Sequence, residues 1–176
     1  LYTFNGSTQY AETNTSSTAM DLTGNFTLEA WINPANACPT GYCVIAGRDN
    51  DYLLATSAGT LRWRIANSTG ASTWYDSGVP IVVGQWQHVA LVRSGTSAMV
   101  YLNGQLVSTL SNGDLDASGS TVALTSTTTV GPGWFELAAH GPDHTDMYNG
   151  GLDEVKVWNT ARTETELGDP SMGDFN

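Results

Sequence analysis

Between Gly131 and Gly150 the chain carries Trp134, Phe135, His140, Asp143, His144, Asp146 and Tyr148 among turn-forming residues. Aromatic rings offer flat apolar faces to pyranose rings, while Asp and His side chains fix hydroxyl groups in an otherwise shallow pocket. Ordinary loop polarity is the alternative reading. His140, His144 and Asp146 are also metal-capable, but they lie in a loop without the helical i, i+4 spacing that gives transition-metal ligands their geometry. A second chemistry-bearing group is Arg48-Asp49-Asn50-Asp51-Tyr52. Carboxylates, an amide and a guanidinium in four positions match vicinal hydroxyls, and Tyr52 could stack on a ring. Equally, Asp-Asn-Asp after Gly47 is turn chemistry. Trp74 and Tyr75 must point to opposite faces of one predicted strand, so one is core and the other is free to line an exposed sheet face. Trp31, Trp63, Trp86 and Trp158 sit inside strong strand patterns and read as packing residues.

Catalytic groups do not assemble from sequence spacing. A glycosidase needs two carboxylates flanking one bond, and no strand carries such a pair, since Asp153 and Glu154 are neighbours and point oppositely. A lyase base would need a basic groove for its uronate, which six Lys and Arg residues cannot build. The Gly-x-Ser-x-Gly nucleophile turn is absent. The expectation is a binding domain rather than an enzyme.

The elements that must position these residues show a period of two. Phe26, Leu28, Ala30 and Ile32 alternate with Thr27, Glu29, Trp31 and Asn33 up to Pro34. Leu61, Trp63 and Ile65 alternate with Arg62 and Arg64, and Asn103-Gly104 between Val100-Leu102 and Leu106-Val107 is a strong hairpin signal. Further strands are predicted at 2–5, 9–12, 42–47, 52–56, 73–77, 85–93, 121–130, 135–139 and 151–159, with 111–129 as a long surface loop. Only Thr163 to Leu167 offers a helical turn, with Thr163 as its N-cap. Many short strands between Gly- and Asn-rich turns predict an all-β, antiparallel two-sheet sandwich. One domain over 1–168 with a tail over 169–176 is expected.

Six basic against 17 acidic residues give a formal charge of −11. That field disfavours nucleic acid, anionic membranes and acidic polysaccharides as partners, leaving neutral glycans or cations. Apolar residues make up 40% of the chain, enough for one core, yet no run approaches the ~20 residues that span a bilayer. Cys38 and Cys43 flank Pro-Thr-Gly-Tyr, a turn that brings their β-carbons within bridging reach. A disulfide there implies an oxidising, secreted or cell-surface setting. Entry straight into a strand pattern at Tyr2 and Phe4 suggests a module trimmed from a longer chain. The Asn-x-Ser/Thr triplets at Asn5, Asn14, Asn25 and Asn67 arise easily in so polar a sequence and decide nothing.

In order along the chain, Phe4-Asn5-Gly6 with Gln9 to Glu12, Phe26 to Pro34, Trp86 to Val92, Val100 to Gly104 and Gly151 to Asn159 resemble the strands of laminin-G-like, pentraxin-type concanavalin A-like jelly rolls. The trailing Ala161-Arg162 and Glu166-Leu167 are similar to the short terminal helix of that family. The resemblance implies a β-sandwich that hosts lectins, hydrolases, lyases and adhesion modules. It also implies a structural calcium ion on Asp153, with backbone carbonyls near Asn5 and Gly24, since calcium accepts six to eight loosely arranged oxygens. The expected ligand-binding residues are Arg48, Asp49, Asp51, Trp74, Trp134, His140, His144, Asp146 and Tyr148. The expected function is a lectin-like, carbohydrate-binding module. A protein-interaction domain of an adhesin or fibre, or a glycan hydrolase or lyase, are the alternatives.

Overall fold

In the computed structural model, residues 1–13, 18–49, 51–128, 131 and 133–168 are described. The triplet at Asn14, the loop residue Asn50, Thr129, Val130 and the tail from 169 lie outside them. The strands are β1 (Tyr2–Asn5), β2 (Ala11–Glu12), β3 (Phe26–Pro34), β4 (Cys43–Arg48), β5 (Tyr52–Ser57), β6 (Thr60–Ile65), β7 (Trp74–Pro80), β8 (Gln87–Ser94), β9 (Ser97–Leu102), β10 (Gln105–Ser111), β11 (Phe135–Leu137) and β12 (Asn149–Trp158), followed by the single helical turn α1 (Glu164–Leu167). They form two antiparallel six-stranded sheets, β1-β12-β3-β8-β9-β10 and β2-β11-β4-β5-β6-β7. This is the all-β sandwich that the period-two pattern requires.

Alternation decides which side chains fill the space between the sheets. Leu28 lies opposite Leu91 in the first sheet and Leu54 opposite Trp63 in the second. These join Phe26, Ile32, Tyr52 and Leu61 in one continuous buried core. The helical turn starts where expected: Thr163 and Glu166 cap one another reciprocally, satisfying backbone N–H groups that have no partner within the helix. Leu167 then packs with Ala90, Val92 and Tyr101 on the outer face of the first sheet.

One expectation fails in part. The stretch predicted as a strand from Thr121 has, among its described residues, only an isolated bridge from Thr121 to Leu115. Val122 and Leu124 turn into the core instead, and the backbone is held by Tyr75, whose hydroxyl accepts from the Ala123 N–H, and by the Arg93 guanidinium on the Thr125 carbonyl. Val122 and Leu124 thus plug the core, while 112–120, apart from Asp116, lie exposed as the expected surface loop. Of the four tryptophans read as packing, only Trp63 is buried in the core. Trp31 and Trp158 pack on the outer face of the first sheet, against His88 and under Arg162, and Trp86, just before β8, lies over Gly151, all three partly exposed.

Candidate functional site

The outer face of the second sheet carries one cross-strand row. Register places Glu12 opposite Glu136, Glu136 opposite Gly47, Gly47 opposite Leu53, Leu53 opposite Arg64 and Arg64 opposite Trp74. Their chain neighbours Phe135, Leu54, Trp63 and Tyr75 point into the core, so alternation turns this row outward. On the same face Val44, Leu53 and Ala55 make a small buried apolar floor, against which Tyr42 and Trp74 pack. The two rings are stacked, with centroids 4.4 Å apart and planes at 13°.

Beyond β11 the chain folds back over this face. The Gly141 N–H donates to Glu136 Oε2 at 2.6 Å, and Gly141 takes the turn at φ +75, a conformation that suits glycine. His140 Nε2 thereby reaches Asp49 Oδ1 at 2.8 Å, and its Nδ1 lies 3.5 Å from Asp146 Oδ2. The Asp146 carbonyl accepts from the Val44 N–H at 2.8 Å, which ties the loop to β4. A cleft of about 250 Å³ opens between Asp49, His140, Pro142, Asp143 and Thr145. The hydrogen bond to Asp49 raises the His140 pKa, against burial, which lowers it. Burial lowers the Arg64 pKa, opposed by the charges of Asp49, Asp51 and Asp146. The outer face of the second sheet therefore carries a stacked aromatic pair and the Arg64 guanidinium beside a cleft lined by carboxylate and imidazole groups, a set of donors and acceptors suited to polyhydroxylated ligands.

Of the nine ligand-binding candidates, Asp49, Trp74, His140 and Asp146 belong to this surface. Arg48 and Asp51 do not. Arg48 is 4% and Asp51 2% exposed. The Arg48 guanidinium pairs with Asp21 and, at 3.0 Å, with Asp51. It also donates to the Gly131 carbonyl, while Asp51 accepts the Gly131 N–H. This closed network clamps three chain segments and leaves no group for a ligand. Burial raises the Asp51 pKa despite these partners. Tyr148 is a core residue, 1% exposed, with burial pushing its phenol pKa up. Trp134 is half-buried, and its carbonyl accepts the Asp49 N–H at 3.1 Å.

His144 faces a different neighbourhood. Its Nδ1 lies 3.2 Å from Glu136 Oε1, its Nε2 3.9 Å from Glu12 Oε2, and its ring stacks on Tyr10 with centroids 3.8 Å apart. Sequence reasoning missed Tyr10, Glu12, Tyr42, Arg64 and Glu136. Arg64 was available as a polar position in the β6 alternation. The others depend on pairing between distant segments, for which no local signal exists.

The expected calcium ligands do not converge. Asn5 lies opposite Asn149 at one end of β12, Asp153 opposite Trp31 in its middle, and Gly24 before Phe26 beyond the other end. At about 3.3 Å per residue the ends of that strand stand roughly 30 Å apart, far beyond the ~2.5 Å reach of calcium ligands. Asn5 Oδ1 instead accepts the N–H groups of Ser7 and Thr8 as a local turn. Asp153 Oδ1 accepts the Glu154 N–H and lies 3.1 Å from the Leu1 nitrogen. The three residues do not fit one calcium ion.

A profile of the laminin-G type, described as the concanavalin A-like lectin/glucanases superfamily, matches residues 5–168. The chain belongs to that superfamily. Among solved structures, a protein of Bacteroides ovatus provisionally described as carbohydrate-binding superposes with a TM-score of 0.68 at 20% identity, covering 93% of this chain and 45% of its own. This superfamily member thus spans just under half of that protein. Domain 4 of an extracellular arabinanase of Geobacillus stearothermophilus, solved with arabinotriose, gives a TM-score of 0.56 at 20% identity, covering 84% of this chain and 66% of its own. A heptameric pentraxin of Limulus polyphemus gives 0.55 at 21%, covering 83% and 69%. A comparison with curated protein sequences returns no match.

Proposed function

We propose that this superfamily member is a non-catalytic carbohydrate-binding module of a larger extracellular protein, taking a neutral sugar on the outer face of its second sheet. The observation that carries the reading is the convergence of the stacked Tyr42–Trp74 pair with Asp49, Arg64, His140 and Asp146, drawn from five separate stretches of chain. The aromatic wall supplies an apolar face for a sugar ring, and the polar groups supply paired contacts for its hydroxyls. Superfamily membership, the carbohydrate-binding description of the Bacteroides protein and the arabinotriose complex of the arabinanase domain support it. The Cys38–Cys43 disulfide supports the extracellular setting.

Glu12 and Glu136 are the carboxylates that a hydrolase reading would use, since they face each other across neighbouring strands. Glu136 is fully buried and both its oxygens are engaged by Gly141 and His144, so it cannot reach a glycosidic bond. Calcium has no role in this reading. The test is affinity electrophoresis and calorimetry against neutral polysaccharides, arabinan included. Trp74→Ala and Asp49→Ala should each weaken binding about tenfold, the equivalent of ~1.4 kcal/mol. Trp31→Ala, on the opposite outer face, should leave it unchanged. Absence of binding to every polysaccharide, or binding indifferent to Trp74 and Asp49, would refute the assignment.

A further inference from the structure

Glu12 and Glu136 stand directly opposite each other on the β2–β11 pair, an arrangement in which like charges repel. Glu136 is 0% exposed, and a buried carboxylate needs a compensating cation. Among the described residues, the basic groups that act on Glu136 are His144 and, more distantly, His140. No lysine or arginine pairs with either glutamate among the described ion pairs. Oxygens of the two glutamates and a ring nitrogen of His144 lie within 4.8 Å of one another.

We propose that Glu12, Glu136 and His144 hold a divalent transition-metal ion of the zinc class. One imidazole and two carboxylates form the donor set such ions take, whereas calcium would want six or more oxygens. The surrounding groups orient the ligands as outer-shell partners do. Glu136 Oε2 is fixed by the Gly141 N–H at 2.6 Å, which directs Oε1 toward His144. The Tyr10 ring, stacked on His144 at 3.8 Å with planes 19° apart, holds the imidazole in place. The ion would neutralise the opposed carboxylates and join β2, β11 and the loop that carries His140. It is therefore a structural clip beside the sugar cleft, with its own residues and its own readout.

Protein stripped with a chelator and dialysed is titrated calorimetrically with zinc chloride, with cobalt absorption as a spectroscopic check on the imidazole and calcium chloride as the comparison. The expected result is one zinc ion per chain, a raised Tm with zinc, and no rise with calcium. His144→Ala and Glu12→Ala should each weaken zinc binding by at least about tenfold, and Tyr10→Ala by a lesser factor. Glu12 is exposed, so its variant folds and keeps the test decisive. His140→Ala should bind zinc as the parent does. No saturable zinc binding by the parent protein, zinc binding that survives both ligand variants, or loss in His140→Ala alone would overturn the proposal. None of these results depends on whether a sugar binds.

Discussion

His140 lies between two carboxylates, and its protonation is linked to folding through the closer of them. The Asp49 hydrogen bond raises its pKa above the ordinary 6.5, so the folded state holds the proton more tightly than the unfolded chain does. A raised folded pKa contributes stability that is complete below 6.5 and is lost as pH rises through the raised value. Asp49→Asn removes the charge that raises it. The Tm deficit of Asp49→Asn, followed by thermal melts from about pH 5.5 to about pH 8.5, should therefore be largest at the acid end and shrink upward. A deficit that grows with pH would contradict the pairing. At this scale, Asp49, His140, Asp146 and Trp74 were legible because loop carboxylates, imidazoles and an outward aromatic advertise themselves by type. Arg48, Asp51 and Tyr148 carry the same chemistry but are withdrawn from it by burial. Whether a side chain is enclosed depends on segments such as Asp21 and Gly131, which are remote in sequence.

Among the elements, the turn between Cys38 and Cys43 has the clearest consequence for the site. The bridge spans five positions, and Tyr42, one residue before Cys43, stacks on Trp74. Closing so short a loop stabilises the fold by about 2 kcal/mol in the chain-entropy account. The Cys38→Ser/Cys43→Ser double variant should lose about that much in urea unfolding, and it should also weaken sugar binding, because the Tyr42 ring loses its anchored backbone. Equal sugar affinity with and without the bridge would separate the turn from the site. The strand pattern and the capped helical turn could be read from spacing because they rest on local alternation and capping. The plug at Val122 and Leu124 could not. Its apolar residues alternate as a strand's would, yet the backbone there pairs only locally, Val122 with Gly113 and Asp114, and otherwise meets the Tyr75 and Arg93 side chains.

Charge belongs to the whole molecule. All six basic residues are already committed. Arg48 and Arg93 are buried at 4% and 0% exposure, Arg62 pairs with Asp76 and Lys156 with Glu154, Arg64 donates to Ser72, and Arg162 lies over the Trp158 ring at 4.1 Å. The surface presented to a polymer is thus more uniformly acidic than the formal charge of −11 conveys. A polyuronate or sulfated glycan approaching the cleft meets repulsion that salt only screens, over a Debye length of about 10 Å at 0.1 M. A neutral glycan meets none, because its contacts are stacking and hydroxyl hydrogen bonds. Affinity for a neutral polysaccharide should therefore change less than about twofold between low and high sodium chloride, in contrast to the steep salt dependence of ligands held by counter-ion release. Polygalacturonate and heparin should not be retained at low salt, where repulsion is strongest. Retention of either at low salt, released as salt rises, would reveal a basic binding surface and overturn the assignment to neutral sugars.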